Sequence, residues 1–161
     1  MRNTTLTANT GDIDASVYIA NTTAVLDHVT ITGEPEYALI VEDVDLTIAS
    51  SIIVDNGSGS CAEEGSLTIR AAGSILATDF EDGGCSLSDT PVLTDDVVFA
   101  ALDLTSGHVP TLAPASGSPA DGFSDCLDAL GSLLTEDARG LARPTTACTV
   151  GAHQLEVCGD G

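Results

Sequence analysis

The stretches Ala24-Val25-Leu26-Asp27-His28-Val29-Thr30-Ile31 and Leu46-Thr47-Ile48-Ala49-Ser50-Ser51-Ile52-Ile53 are two copies of one unit and lie 22 residues apart. Each copy has an alternating strand, a polar corner and a second short strand, with His28 and Ser50 at equivalent corner positions. Between them Tyr37-Ala38-Leu39-Ile40-Val41 supplies a third strand. Another copy, Leu67–Leu76, follows the second at 21 residues with a small insertion near Ala72-Gly73, and an earlier copy begins at Thr5-Leu6-Thr7.

A fixed period of this length predicts a solenoid, because one repeat cannot bury its apolar face without its neighbours. Leucine-rich repeats share the period, but they require an Asn/Cys ladder and a helical or extended convex side in each repeat. The copies here lack that ladder and carry two or three strand segments each. We therefore predict an all-β, right-handed, single-stranded parallel β-helix with turns of 21–22 residues over residues 1–107.

The composition agrees with this architecture. Aromatic residues make up only 3% of the 161 residues and tryptophan is absent. The apolar residues are mainly Val, Ile, Leu and Ala, and branched aliphatics with Thr favour strands, whereas Gly, Asp, Ser and Asn favour turns. A core without large aromatic side chains must be thin and repetitive, as stacked short strands are.

The charge excludes some partners. The chain has 25 acidic residues against four basic ones, Arg2, Arg70, Arg139 and Arg143, for a net charge of −21. Nucleic acid is excluded because no basic patch can form to displace phosphate counterions. An anionic membrane surface would also repel the chain, and no apolar run is long enough to span a bilayer.

Two of the five cysteines are predicted to pair from the repeat. Equivalent positions on neighbouring turns lie about 4.8 Å apart, within the Cα separation that a disulfide accepts. Cys61 and Cys85 follow the strands of consecutive turns, in the loops 56–64 and 79–86, so we expect a disulfide between them. Because no cysteine forms C-x-x-C, structural disulfides in an oxidising compartment are favoured over a metal cluster.

The periodic repeat is no longer recognisable after about Asp89. Residues 108–157 contain a proline-rich stretch at 108–120 and are predicted to cap the open end of the solenoid. The only helix expected is short and amphipathic, over Asp125–Leu134. The first residues lack the apolar region of a signal peptide, so an export signal is expected upstream of this chain.

Separated blocks in this region resemble a known family. The blocks are Gly117-Ser118-Pro119-Ala120-Asp121, Cys126, Glu136-Asp137-Ala138-Arg139-Gly140-Leu141-Ala142-Arg143-Pro144, and Cys148-Thr149-Val150-Gly151-Ala152-His153-Gln154. Together they resemble the C-terminal signature of the choice-of-anchor Q domain, which reads GSPAID, a cysteine, DQRGxxRP and then C-(D)-IGA-(F/Y)-E. The family implies an exported bacterial parallel β-helix with varied surface attachment and no established general activity.

The resemblance implies a structural motif made of Arg139, Gly140, Arg143, Pro144 and Gly151. A guanidinium binds several backbone carbonyls at once, so both arginines are expected to organise the cap, the alternative being a carboxylate-binding or catalytic arginine. Cys126 and Cys148 bracket the motif, and their pairing would lock it. The chain departs from the family at Ala138, Thr149 and His153, which leaves the contacts of that loop open.

The last residues resemble a second pattern. Cys158-Gly159-Asp160-Gly161 is similar to the start of a cysteine-rich CGDG repeat of secreted proteins. Residues 158–161 are therefore interpreted as the beginning of a following module, and Cys158 as unpaired within this chain.

Function is predicted from this architecture as a non-catalytic extracellular module of a bacterial surface or secreted protein: a stalk, adhesin or platform for a glycan or cell-surface protein. The alternative is a carbohydrate-active β-helix, similar to pectate lyases or glycoside hydrolases, with active turns partly outside this chain. An enzyme would bring two carboxylates and Arg70 together in a groove, whereas a platform would present a flat strand face with dispersed Thr, Ser and Asp.

Calcium is the one cofactor for which the sequence offers candidates, and otherwise none is expected. Two acidic loops follow consecutive strands, and hard oxygen ligands from neighbouring turns suit Ca²⁺. The candidate ligands are Glu63, Glu64, Asp79, Glu81 and Asp82. Neither loop matches an EF-hand or the RTX nonapeptide.

Overall fold

The computed structural model describes residues 1–10, 15–103 and 109–155, and in these residues the protein is all-β without a helix. The strands are β1 (Arg2–Thr7), β2 (Ala15–Ala20), β3 (Thr23–Thr32), β4 (Tyr37–Ala49), β5 (Ile52–Val54), β6 (Gly59–Arg70), β7 (Ile75–Leu76) and β8 (Val92–Leu93). They pair in parallel within one sheet. The stacked strands form a β-solenoid of about three turns, which confirms the predicted architecture.

Each turn has three sides. The first side stacks β1, residues 29–32 of β3, β5, β7 and β8; the second stacks β2 with residues 37–42 and 59–64; the third stacks residues 23–27, 44–49 and 67–70. Ala24 lies opposite Leu46 and Ile31 opposite Ile53, so the 22-residue repeat read from the sequence is the stacking register.

Left-handed backbone marks the corners between the sides. The corner between the third and first sides, called the first corner here, has positive φ at Asn3, His28, Ser50 and Gly73. The register places these residues above one another, and the predicted ladder of His28 and Ser50 is confirmed. Asn21 and Asp43 occupy another corner, where a short polar side chain tolerates this conformation well.

Two apolar layers are separated by the strands of the first side. Inward-facing residues such as Leu39, Leu46 and Ile53 form the core inside the solenoid. Ile52 and Ile75 alternate with them, face outward and pack with Val150 and Ala120 of the C-terminal region in a second layer. The C-terminal region is therefore folded against the outside of the solenoid as well as following it in sequence.

The third copy of the repeat departs from its sequence alignment. Leu67 pairs with Val44, so the predicted match of Leu67 with Leu46 is wrong. The strand β6 has one residue more than β4 at Gly65–Ser66, and the backbone N–H of Ser66 donates to Asp43 Oδ1 at 2.8 Å. Because the error is an even number of residues, the alternation of faces is unchanged and Arg70 points outward as expected.

Two predictions about loops and helices are also wrong. Cys61 does not lie in a loop but within β6, in line with Leu39 and directed into the core. The helix over Asp125–Leu134 is replaced by turns and an antiparallel bridge between Leu127 and Leu133. Asp125 Oδ1 accepts from the N–H of Leu127, and Asp128 Oδ1 accepts from Leu130 and Ser132. Such side-chain bonds offer the backbone an alternative to helix.

Both disulfides expected from the sequence are present. Cys61 and Cys85 join neighbouring turns with Cα atoms 6.0 Å apart, and both side chains are buried with Phe80 where the solenoid ends. Cys126 and Cys148 join the C-terminal region to itself at 5.1 Å. Two disulfides in a chain of this size indicate an oxidising compartment. The predicted free cysteine, Cys158, lies outside the described residues.

Candidate functional site

The C-terminal region crosses the first corner of the solenoid. Ser124 Oγ lies 2.9 Å from Ser50 Oγ, and the backbone N–H of Gly151 donates to the Ser50 carbonyl at 2.8 Å. On the next turn towards the N-terminus, the N–H of Ala152 donates to Thr30 Oγ1 at 3.0 Å. Asn3 Nδ2 donates to the Glu136 carbonyl at 3.0 Å. Residues 120–155 therefore tie three successive turns together.

Gly151 is required by this close approach. Its φ is +90°, and a Cβ built there would lie 2.5 Å from Thr30 Oγ1 and 2.9 Å from Ile52 Cδ1. Real Cβ atoms do not occupy such positions, and only glycine adopts this backbone readily. The glycine of the VGA segment thus allows the chain to lie directly on β3 and β5.

Residues 120–155, which lie on the outside of the first side, are called the cap. Arg139 is buried within it and fixes the segments around Asp137 and Gln154. Its Nε donates to Asp137 Oδ2 at 2.8 Å and its Nη2 donates to the Gln154 carbonyl at 2.7 Å. The N–H groups of Arg139 and Gln154 also donate to the Asp137 carboxylate. Burial opposes ionisation of Asp137, but the bonds from Gln154 and Arg139 outweigh it and hold its pKa below the usual value.

Arg143 is also buried in the cap. Its Nη1 donates to the Thr149 carbonyl at 2.9 Å and its Nη2 to the Gly151 carbonyl at 2.7 Å. Burial lowers the pKa of Arg143 to about 10, so the guanidinium remains charged at neutral pH. The geometry is that of a cation fixing two carbonyls, with Gln154 Oε1 at 3.4 Å as a further acceptor.

The remaining motif residues have smaller roles. The N–H of Gly140 closes a turn on the Asp137 carbonyl at 3.0 Å, and Gly140 has a φ of +79°. Pro144 is half-buried and ends the segment that carries Arg143. Asp137 and Gln154 were not singled out from the sequence, although their bonds organise both arginines. The separated blocks that contain them were the only available signal.

A second group of linked polar side chains, of which Asp27 and His28 are buried and Arg2 is exposed, lies at the first corner. His28 is fully buried, and its Nδ1 lies 2.8 Å from Asp27 Oδ1. Asp27 Oδ2 accepts from Arg2 Nε at 2.8 Å, and Arg2 Nη2 reaches Asp128 Oδ2 at 2.8 Å. Burial lowers the pKa of His28, so its imidazole is neutral at physiological pH and donates from Nδ1 to Asp27.

The third side presents an open strand face. The outward positions form two rows across the strands, Thr23–Asp45–Thr68 and Val25–Thr47–Arg70, which together we call the open face. Five of these six residues are exposed and Thr47 is partly exposed. Arg70 Nη1 binds Asp45 Oδ1 at 2.5 Å, and both side chains are about half exposed. Neighbouring residues of a row lie about 4.8 Å apart.

The calcium candidates lie on two neighbouring turns and differ in exposure. Glu81 Oε1 accepts from the N–H of Leu87 at 3.3 Å, while Asp79 is half-buried and Asp82 is exposed. Glu63 is half-buried at the end of the core and Glu64 is exposed on the second side. Within the described residues no group of three or more His, Cys, Asp or Glu side chains is arranged to hold a metal ion.

The chain was compared with protein-family models, curated proteins and solved structures. No family model matches it, and neither a curated protein nor a solved structure gives a match. In the part of the chain that the structure describes, no helix is long and apolar enough to cross a membrane.

Proposed function

We propose that this chain is a non-catalytic module of an exported bacterial protein and that its open face binds an extracellular glycan or a cell-surface protein. The observation that carries the proposal is the open face itself. Hydroxyl, carboxylate and guanidinium groups, with the exposed side chain of Val25 among them, stand in two rows across the three strands. Such a surface offers many weak polar contacts to a repetitive ligand.

The use of the basic residues supports a binding module over an enzyme. Arg139 and Arg143 are buried and bound to backbone carbonyls, so they stabilise the cap. Arg70, the basic residue that a lyase would need, is paired with Asp45 on the open face. Asp43, the carboxylate nearest to Asp45 along the same strand, accepts the N–H of Ser66 at the corner.

The cap supports membership of an exported family. The residues through which the chain resembles the choice-of-anchor Q domain include Arg139, Arg143 and Gly151, and each has a defined structural task here. We propose that the cap is a form of that domain's C-terminal signature. Its disulfide between Cys126 and Cys148 requires the oxidising conditions met after export.

Binding to an array of extracellular polysaccharides and host or bacterial surface glycans tests the proposal. Thr68→Lys disturbs the open face, and Thr90→Lys makes the same change of charge at an exposed position outside it. We expect ligand retention to fall about tenfold with the first variant, equivalent to about 1.4 kcal/mol, and to stay unchanged with the second. Equal retention by both variants would reject the open face as the binding surface.

A parallel assay addresses catalysis. The unmodified chain is incubated with polyuronates and neutral polysaccharides while unsaturated uronate and new reducing ends are measured. No turnover is expected. Product formation that Arg70→Met abolishes would replace the proposal with the carbohydrate-active alternative.

A further inference from the structure

A pocket of about 390 Å³ lies where the third side of the solenoid meets the cap. Its lining includes the small residues Ala49, Ala72 and Gly73 of the solenoid and Phe123, Asp125 and Asp128 of the cap. Because side chains alternate along a strand, Ala49 is the next outward residue of β4 after Asp45 and Thr47. The pocket therefore lies at the end of the open face and continues it.

Phe123 gives the pocket an exposed aromatic side chain. It is 43% exposed, whereas Phe80 is fully buried and Phe99 packs against the second apolar layer. The space beside the ring is open, since a Cβ built at Gly73 would meet no heavy atom within 4 Å. The face of an aromatic ring carries partial negative charge and attracts the positive edges of other groups, such as polarised C–H bonds.

The polar groups of the pocket leave one strong acceptor available. The carboxylate of Asp128 accepts two backbone N–H groups with Oδ1 and binds Arg2 Nη2 with Oδ2 at 2.8 Å. The exposed Asp125 accepts the N–H of Leu127 with Oδ1 at 3.3 Å, and its Oδ2 accepts no hydrogen bond from the described residues. A ligand in the pocket therefore finds an aromatic face together with a carboxylate oxygen that can accept a hydroxyl.

A pyranose ring matches this combination, because it has C–H groups on its faces and hydroxyl groups around its edge. A uronic or sialic acid would bring its own charge close to Asp125 and Asp128 in a chain of net charge −21, so an acidic sugar is disfavoured. A lysine side chain of a partner protein would satisfy Asp125, but it lacks the hydroxyl groups that the threonine rows of the open face suit.

We propose that this pocket is a subsite of the open face that holds one uncharged pyranose ring of a glycan. The ring stacks on Phe123 and donates a hydroxyl to Asp125. The inference rests on the function proposed above and names its ligand class, a neutral glycan that extends from the open face into the pocket.

The ligand class is tested with the whole chain on an array of neutral glycans and their uronate-containing counterparts. The strongest neutral binder is then titrated by calorimetry with and without about 1 M sodium chloride, at which the Debye length falls to about 3 Å. We expect neutral glycans to bind, their acidic counterparts to bind more weakly, and the salt to leave the affinity unchanged. A preference for acidic glycans, or an affinity that the salt abolishes, would overturn the proposal.

Variants at exposed positions locate the ring. Phe123→Leu keeps an apolar side chain but removes the aromatic face, so we expect affinity for the neutral glycan to fall about tenfold, while Phe123→Tyr retains it. Ala72→Leu fills the pocket and should weaken binding similarly. The control is Leu130→Ala, a change at an exposed apolar residue of the cap, which should have no effect. Urea midpoints check that each variant is folded.

The outcomes separate the pocket from the open face. Weaker glycan binding by Thr68→Lys but not by Phe123→Leu would retain the open face and reject the pocket. Unchanged binding by both variants would reject the two sites together. Absence of binding to every glycan would reject the pocket and leave a cell-surface protein as the ligand of the open face.

Discussion

Replacing Gly151 with alanine is the most direct test of how the C-terminal region is held on the solenoid. At a φ of +90° an alanine is strained by about 1–2 kcal/mol. Its Cβ would also meet Thr30 Oγ1 at 2.5 Å and Ile52 Cδ1 at 2.9 Å, and forced overpacking of this kind costs about 1–3 kcal/mol. We therefore expect the free energy of unfolding to fall by about 2–5 kcal/mol.

The matched control is Gly117→Ala. Gly117 has a similar φ of +78° but no heavy atom within 4 Å of its built Cβ, so only the backbone strain applies there. Unfolding in urea without reductant gives the difference between the variants, expected at about 1–3 kcal/mol. Hydrogen exchange should show the additional loss of protection in residues 148–155. Equal destabilisation by the two alanines would refute the close docking of Gly151 on β3 and β5.

Other perturbations of the cap have distinct expected results. Arg143→Lys should lower the free energy of unfolding by about 2–3 kcal/mol, because one ammonium cannot reach both carbonyls. The control is Arg70→Lys at an exposed position, which should change the free energy of unfolding by less than about 0.5 kcal/mol. Urea unfolding compares the two variants. Serines at Cys126 and Cys148 should cost about 3 kcal/mol and expose residues 120–155 to proteolysis, while serines at the Cys61–Cys85 pair, of similar separation, should leave that region protected. Because burial lowers the pKa values of His28 and His153 in the folded state, the unfolded chain takes up protons first as the pH falls below about 6.5. Urea midpoints should therefore be constant above that pH and decrease below it, and His28→Gln should reduce the decrease; a midpoint that rises on acidification would contradict the assignment.

The repeat made the solenoid predictable because two independent periods agree in it. Apolar residues alternate along each strand, and whole strands recur after 22 residues, so Leu26 and Ile48 are inward by both criteria. The register failed only after Gly65–Ser66, where one added residue forms an irregularity in the parallel pair. An inserted residue of this kind has no periodic signature in the sequence. It can be located only from the pairing of β6 with β4 in the folded structure.

The candidate site was predictable in its residues but not in its contacts. The sequence indicated that Arg139 and Arg143 organise the cap, yet their shared partner Gln154 became evident only when the chain was folded. The link between Asp27 and Asp128 through Arg2 joins residues about a hundred positions apart, and no local pattern encodes it. The helix predicted at Asp125–Leu134 failed for a local reason, since aspartate side chains there bind the backbone.

One feature of the sequence does indicate a long-range contact, namely the packing of the C-terminal region on β5. Ile52-Ile53-Val54 is apolar at every position, whereas Asp45–Ala49 and Leu67–Arg70 carry polar residues at their outward positions Asp45, Thr47, Thr68 and Arg70. A short uninterrupted apolar strand is buried on both faces, and here the C-terminal region covers the outer one through Val150 and Ala120. The same reasoning identifies which side stays open. Apart from Val25, the outward residues in the two rows of the third side are polar, and these rows stay exposed or partly exposed, as the binding proposed for the open face requires.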